Sequence, residues 1–84
     1  MMVLAEFEFE FGGCAGIIYE SLLPELSEGY QRTRTSLSLK NDVLVLNVQA
    51  SDIISMRAAL NGWLRLIKIS YEMSSLIRDA QVIN

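Results

Sequence analysis

Nine consecutive residues near the start of this chain alternate between two faces. Val3, Ala5, Phe7, Phe9 and Phe11 lie on one, and Leu4, Glu6, Glu8 and Glu10 on the other. A period of two with aromatic residues on one side is the pattern of a half-buried strand, and a strand needs neighbours. Two further segments supply them. From Gln31 to Lys40, Thr33, Thr35, Leu37 and Leu39 oppose Arg32, Arg34, Ser36, Ser38 and Lys40. From Val43 to Ala50, Leu44, Leu46, Val48 and Ala50 form the inward face. Asn41 and Asp42 between them tolerate left-handed backbone angles, so the spacing predicts a tight hairpin.

Helical patterns fill the gaps. Gly12-Gly13 ends the first strand. Cys14 to Leu23 then places Cys14, Ile17, Ile18, Ser21 and Leu22 on one helical face, closed by Pro24. Glu25 to Tyr30 reads as a loop turning at Gly29. Ser51-Asp52 offers side-chain oxygens to the first free amides of a second helix. That helix is expected from Ile53 to about Leu76, interrupted only by Gly62, with Asp79 to Asn84 a fraying tail. The order is β-α-β-β-α within one domain over residues 1–84. A right-handed crossover followed by a hairpin gives an α+β fold: a three-stranded antiparallel sheet, spatial order first-third-second, with two helices on one face. This is a ferredoxin-like split motif without its fourth strand. The first strand would be an open edge, which proteins rarely leave unprotected. Its Val3, Ala5, Phe7 and Phe9 are the expected dimer edge, joining a second copy into a six-stranded sheet.

The totals point to association as well. The chain has 84 residues, 51% of them hydrophobic, and a mean hydropathy of +0.30. A domain of this size buries only about 60–65% of its unfolded surface. Cys14 is the single cysteine, so no internal disulfide can reinforce it, and with no histidine a zinc site is not expected. A net charge of −3 opposes independent nucleic-acid binding. No apolar run approaches the roughly 18–20 residues that span a bilayer. The acidic N-terminus does not resemble a signal peptide, and the lone cysteine fits the cytosol.

No catalytic constellation stands out, and neither metal nor cofactor is expected. Glu6, Glu8 and Glu10 share a strand face about 7 Å apart in two-residue steps and read as a solvated row. Cys14 has no histidine to activate it and reads as a core residue. Gly12-Gly13-Cys14-Ala15-Gly16 lacks the lysine and hydroxyl residue that complete a phosphate loop. Arg32 and Arg34 belong either to a charge-balanced sheet face or to a nucleic-acid contact.

The long helix carries the most information. Ile53, Met56, Leu60, Leu64, Ile67 and Tyr71 form one stripe, broadened by Ala59, Trp63, Leu66, Ile69 or Ser70, and Met73. Arg57, Asn61, Arg65, Lys68 and Glu72 form a second, polar stripe. The apolar arc is wider than one sheet contact requires. Part of it is expected to pack on the sheet and part to receive helices of another chain, with Trp63 and Met73 assigned to that interface.

Tyr30-Gln31-Arg32-Thr33-Arg34, then Asp42 to Leu46, then Ala50-Ser51-Asp52 with Arg57, Asn61, Trp63, Leu64 and Arg65, resemble the small Pcc-type subunits of the KEOPS complex, the Pcc/CTAG/LAGE family. Tyr19-Glu20 adds to the likeness, which spans about residues 3 to 73. The first helix departs from it, because glycines stand where the family opens with proline, acidic and polar residues. The resemblance implies a homodimeric, non-catalytic subunit. Its helices would bind the kinase-like threonylcarbamoyl transferase subunit, so that the dimer bridges two catalytic arms of a complex that forms threonylcarbamoyl-adenosine in tRNA. The residues expected to meet the partner helices are Arg57, Asn61, Trp63, Leu66 and Met73. Arg32, Arg34 and Arg65 are the candidates for tRNA contact. The Arg-Asn-Trp-Leu-Arg pattern favours the main small subunit over the diverged second one found in archaea. The competing readings are a ferredoxin-like regulatory module binding a small molecule, favoured only by the glycine-rich run, and an independent RNA-binding domain.

Overall fold

The computed structural model describes residues 2–28 and 33–83, with side chains at 2–26 and 33–75. Three strands, β1 (Val3–Glu10), β2 (Thr33–Lys40) and β3 (Val43–Ala50), and two helices, α1 (Ala15–Leu22) and α2 (Ile53–Ile83), follow in the order β1-α1-β2-β3-α2. The sheet is antiparallel with β3 in the centre, in the order β1-β3-β2. The expected α+β architecture is the observed one.

The register follows the apolar alternation. Phe7 and Leu37 flank Leu46, and Phe9 and Leu39 flank Leu44, so one face of the sheet is apolar from strand to strand. A slip of one residue would turn every such side chain to the other face. The hairpin closes at Asn41 and Asp42, whose φ angles of 48° and 69° are the left-handed pair that a two-residue turn between twisted strands requires.

Both helices lie against this apolar face. Ile18 and Leu22 of α1 and Met56, Ala59, Trp63 and Ile67 of α2 meet Leu37, Leu44, Leu46, Val48 and Ala50 in one core. α2 runs along β3 and α1 covers β2 and β3. β1 is the least covered strand, and its inward residues remain half-buried.

Asp52 starts α2 as expected: its Oδ1 accepts a hydrogen bond from the Ser55 backbone N–H at 2.7 Å. Asp52→Ala is expected to cost about 1 kcal/mol of stability, measured by urea unfolding.

Three boundaries differ from the sequence reading. A 3-10 turn, Gly12–Cys14, precedes α1, with Gly12 at φ 60°. Pro24 does not end the helical path. It lies in a 3-10 helix, Leu23–Glu28, where a loop was expected; proline is tolerated in a first turn, where its missing N–H has no partner to lose. The expected turn at Gly29 and the strand start at Gln31 and Arg32 lie outside the described residues. Finally, α2 does not stop near Leu76 but continues to Ile83. No proline or glycine occurs from Trp63 onward to halt it. At 1.5 Å per residue it is about 46 Å long, against roughly 27 Å for an eight-residue strand, so it outruns the sheet. This makes the molecule 52 × 21 × 18 Å.

Candidate partner-binding surfaces

The half-turn spacing of α2 divides it into four sides. Met56, Ala59, Trp63, Ile67 and Ser74 are buried against the rest of the chain. Arg57, Asn61, Arg65, Lys68 and Glu72 are all exposed, so the polar stripe faces away from the sheet. The two remaining sides are apolar flanks.

The first flank faces β1. Ile53, Leu64 and Tyr71 are 56%, 37% and 43% exposed. Tyr71 stacks on Phe11 with ring centroids 5.2 Å apart. Phe11 stacks on Phe9 at 5.7 Å, and Phe9 on Phe7 at 6.3 Å. Offset ring pairs at these separations are favourable beyond the area they bury. The result is an aromatic ladder along the edge strand, half-open because neither helix covers β1. The sequence shows the three phenylalanines in alternate positions; that α2 would extend the row with Tyr71 depends on where the helix crosses the sheet, which local pattern does not state. Val3, Ala5, Phe7 and Phe9 thus lie together on an edge whose outer side carries no strand among the described residues.

The second flank faces α1. Ser21 Oγ of α1 donates to the Ile18 carbonyl at 2.8 Å and sits 3.2 Å from Ser70 Oγ of α2. Ser74 Oγ donates to the Ser70 carbonyl at 2.9 Å. Small hydroxyl side chains let the two helices approach. Ile69 and Met73 on α2 and Ile17 on α1, 47%, 56% and 53% exposed, stand at this side. Leu66 is half-buried there and packs against the core.

The expected partner-helix residues therefore do not form one surface. Arg57 and Asn61 lie on the outer polar side, and Leu66 and Met73 lie toward α1. Trp63 belongs to neither. It is 8% exposed and part of the core, where an interface anchor was expected. Periodicity centres the apolar arc toward Leu60 and Leu64, whereas the buried side runs through Met56, Ala59, Trp63 and Ile67. Trp63 lies at the centre of the sheet-facing side, which corrects its assignment.

Nor do the candidate tRNA contacts converge. Arg34 is exposed on the open face of the sheet and Arg65 on the opposite side of the molecule, outside the helix layer. Arg32 lies outside the described residues.

The open sheet face carries a shallow concavity of about 520 Å³ lined by Leu4, Ala5, Glu6, Ser36, Asn47, Val48 and Gln49. Its polar side chains can form hydrogen bonds, and Glu6 and Ser36 stand on either side of Asn47, on the two outer strands. Cys14 is 1% exposed, a core thiol. Among the described residues no group of His, Cys, Asp and Glu could hold a metal ion, and no helix is long and apolar enough to cross a membrane. Gly12 serves the turn into α1 through its positive φ, a backbone role independent of any ligand.

Two comparisons match this chain. A family model described as transcription factor Pcc1 matches residues 4–75. KEOPS complex subunit Pcc1 of Pyrococcus abyssi (strain GE5 / Orsay) is 31% identical over 70 residues, covering 82% of this chain and 85% of that protein. The family match runs from β1 well into α2 and takes in every strand and helix that builds the core, so the chain belongs to the Pcc1 family.

Proposed function

We propose that this chain is a non-catalytic scaffold subunit of a KEOPS complex, working in the cytosol. It associates with a second copy and uses its helices to hold the kinase-like catalytic subunit during threonylcarbamoyl-adenosine formation in tRNA. The observation that carries this reading is the match to a KEOPS complex subunit over most of both chains. Two features of the fold support it. The β1 edge and its aromatic ladder are an incomplete core that another chain can cover. The α1 side of α2 exposes Ile69 and Met73, which suit the apolar stripe of a foreign helix. Arg34 and Arg65 would reach tRNA only from separate sides of the assembly.

Purification of the tagged chain from its native host, with mass identification of what accompanies it, tests the assignment. The expected result is a kinase-like subunit in stoichiometric amount. Its absence, with the chain intact and soluble, refutes the reading. Light scattering during gel filtration tests self-association separately: a dimer is expected, and a monomer at all concentrations removes that part.

A further inference from the structure

The concavity on the open face of the sheet is floored by backbone. Val48, at its middle, is 1% exposed and turns its side chain into the core. The register sets polar side chains around it. Glu6, Asn47 and Ser36 stand side by side on β1, β3 and β2, and Gln49 of β3 stands beside Arg34 of β2. Among the described residues, the side chains of these five make no hydrogen bond or ion pair. Their polar groups are uncommitted and surround one depression of about 520 Å³, within the size range of small-molecule sites.

Asn47 is the member of this group that strand formation does not explain. It follows Val43, Leu44, Val45 and Leu46 and precedes Val48 in the central strand, where asparagine is disfavoured and branched apolar residues pack well. Val45, two residues away on the same face, is only 7% exposed, so a valine at position 47 would gain burial. A half-buried asparagine with an uncommitted amide breaks the local rule with no structural return, as residues at functional sites do.

The charges define what fits. Glu6 and Arg34 lie at diagonal corners of the depression, their Cα atoms about 12 Å apart by strand spacing and rise. Both side chains are long enough to lean in over Val48. An ammonium and a carboxylate about 3 Å apart, with a hydrogen bond of about 2.8 Å at each end, span the gap that remains. Primary amides donate and accept at once, so Asn47 and Gln49 can bond either group. A phosphate-bearing ligand would meet the carboxylates of Glu6 and Glu8, and a polycation would meet Arg34. We propose that the concavity binds a small zwitterion, a free α-amino acid, with its ammonium on Glu6, its carboxylate on Arg34 and both held over Val48 by Asn47 and Gln49. The site uses no residue of the helices, so it stands independently of the partner surfaces there.

The test titrates the full isotope-labelled chain separately with glycine, leucine and glutamine. N-acetylglycinamide, which lacks both charges, and adenosine, a neutral base and sugar, are the controls. Saturable shifts are expected at the backbone amides of Glu6, Ser36, Asn47 and Gln49 with at least one amino acid, and with neither control. Glu6→Gln and Arg34→Gln, both on exposed side chains, should each weaken binding at least about tenfold without moving the urea midpoint, since each removes one charge-assisted hydrogen bond. Asn47→Val separates function from folding: it is expected to abolish binding while raising the urea midpoint, because valine suits the strand better. Silence with all three amino acids, shifts away from this face, or equal binding of either control would each overturn the proposal. So would an Asn47→Val chain that still binds or that unfolds at lower urea, which would make Asn47 a structural residue.

Discussion

Trp63→Ala is expected to lower stability by about 3–5 kcal/mol, the cost of emptying a large aromatic site in a packed core. A domain of this length holds about 4–12 kcal/mol in total, so the loss consumes between a quarter and all of it. Trp63 is 8% exposed and belongs to the same core as Met56, Ala59 and Ile67 of its own helix and Ile18 and Leu22 of α1. Removing the indole opens the junction between both helices and the sheet. Trp63→Phe keeps much of that volume and is expected to cost distinctly less. Urea unfolding of the three proteins gives the comparison. An interface anchor would behave in the opposite way: the melt would hold within about 0.5 kcal/mol, as for surface substitutions, while partner binding fell. That outcome would return Trp63 to the surface and contradict the packing described here.

The contrast between Trp63 and the strands shows what local sequence can encode. Phe7, Leu37 and Leu46 alternate with polar neighbours at a period of two, and the face of a strand follows from parity alone. Asn41 and Asp42 place the hairpin, because few residue pairs accept two positive φ angles. Asp52 places the helix start through its side-chain oxygen. On α2 the apolar arc covers more than the sheet can bury, and periodicity gives an arc without its centre. Trp63, on the centre line, and Leu64, 37% exposed, are neighbours in a stretch where both are apolar. Tertiary contact decides between them. The length of α2 had a readable signal in the uninterrupted run from Trp63 to Ile83, since no proline or glycine marks an end near Leu76. Of the candidate surfaces, the edge strand was legible from its alternation. The aromatic stack reaching Tyr71 was not, since it joins residues sixty positions apart in sequence.

The flank of α2 toward α1 separates folding from docking most cleanly, and Met73 is the residue with which to do it. It is 56% exposed, and Ile69 beside it is 47% exposed. Neither belongs to the core, so Ile69→Asp/Met73→Asp is expected to shift unfolding by no more than about 0.5–1 kcal/mol. If this flank receives a helix of the catalytic subunit, two carboxylates in an apolar contact lose the burial and bring charges that must be desolvated without partners. Truncation of a central anchor alone commonly costs 2 kcal/mol or more, so co-purification with the kinase-like subunit should fall by roughly thirtyfold or beyond. Leu66→Asp provides the internal contrast. Leu66 is half-buried and packs on the core, so this variant should lose stability and binding together. Arg65→Ala, on the outer polar side, should leave both nearly unchanged if that side is solvated. Retained binding by a folded Ile69→Asp/Met73→Asp chain would move the docking surface off this flank. The β1-facing side, with Ile53, Leu64 and Tyr71, would then be the remaining apolar surface large enough to hold a helix.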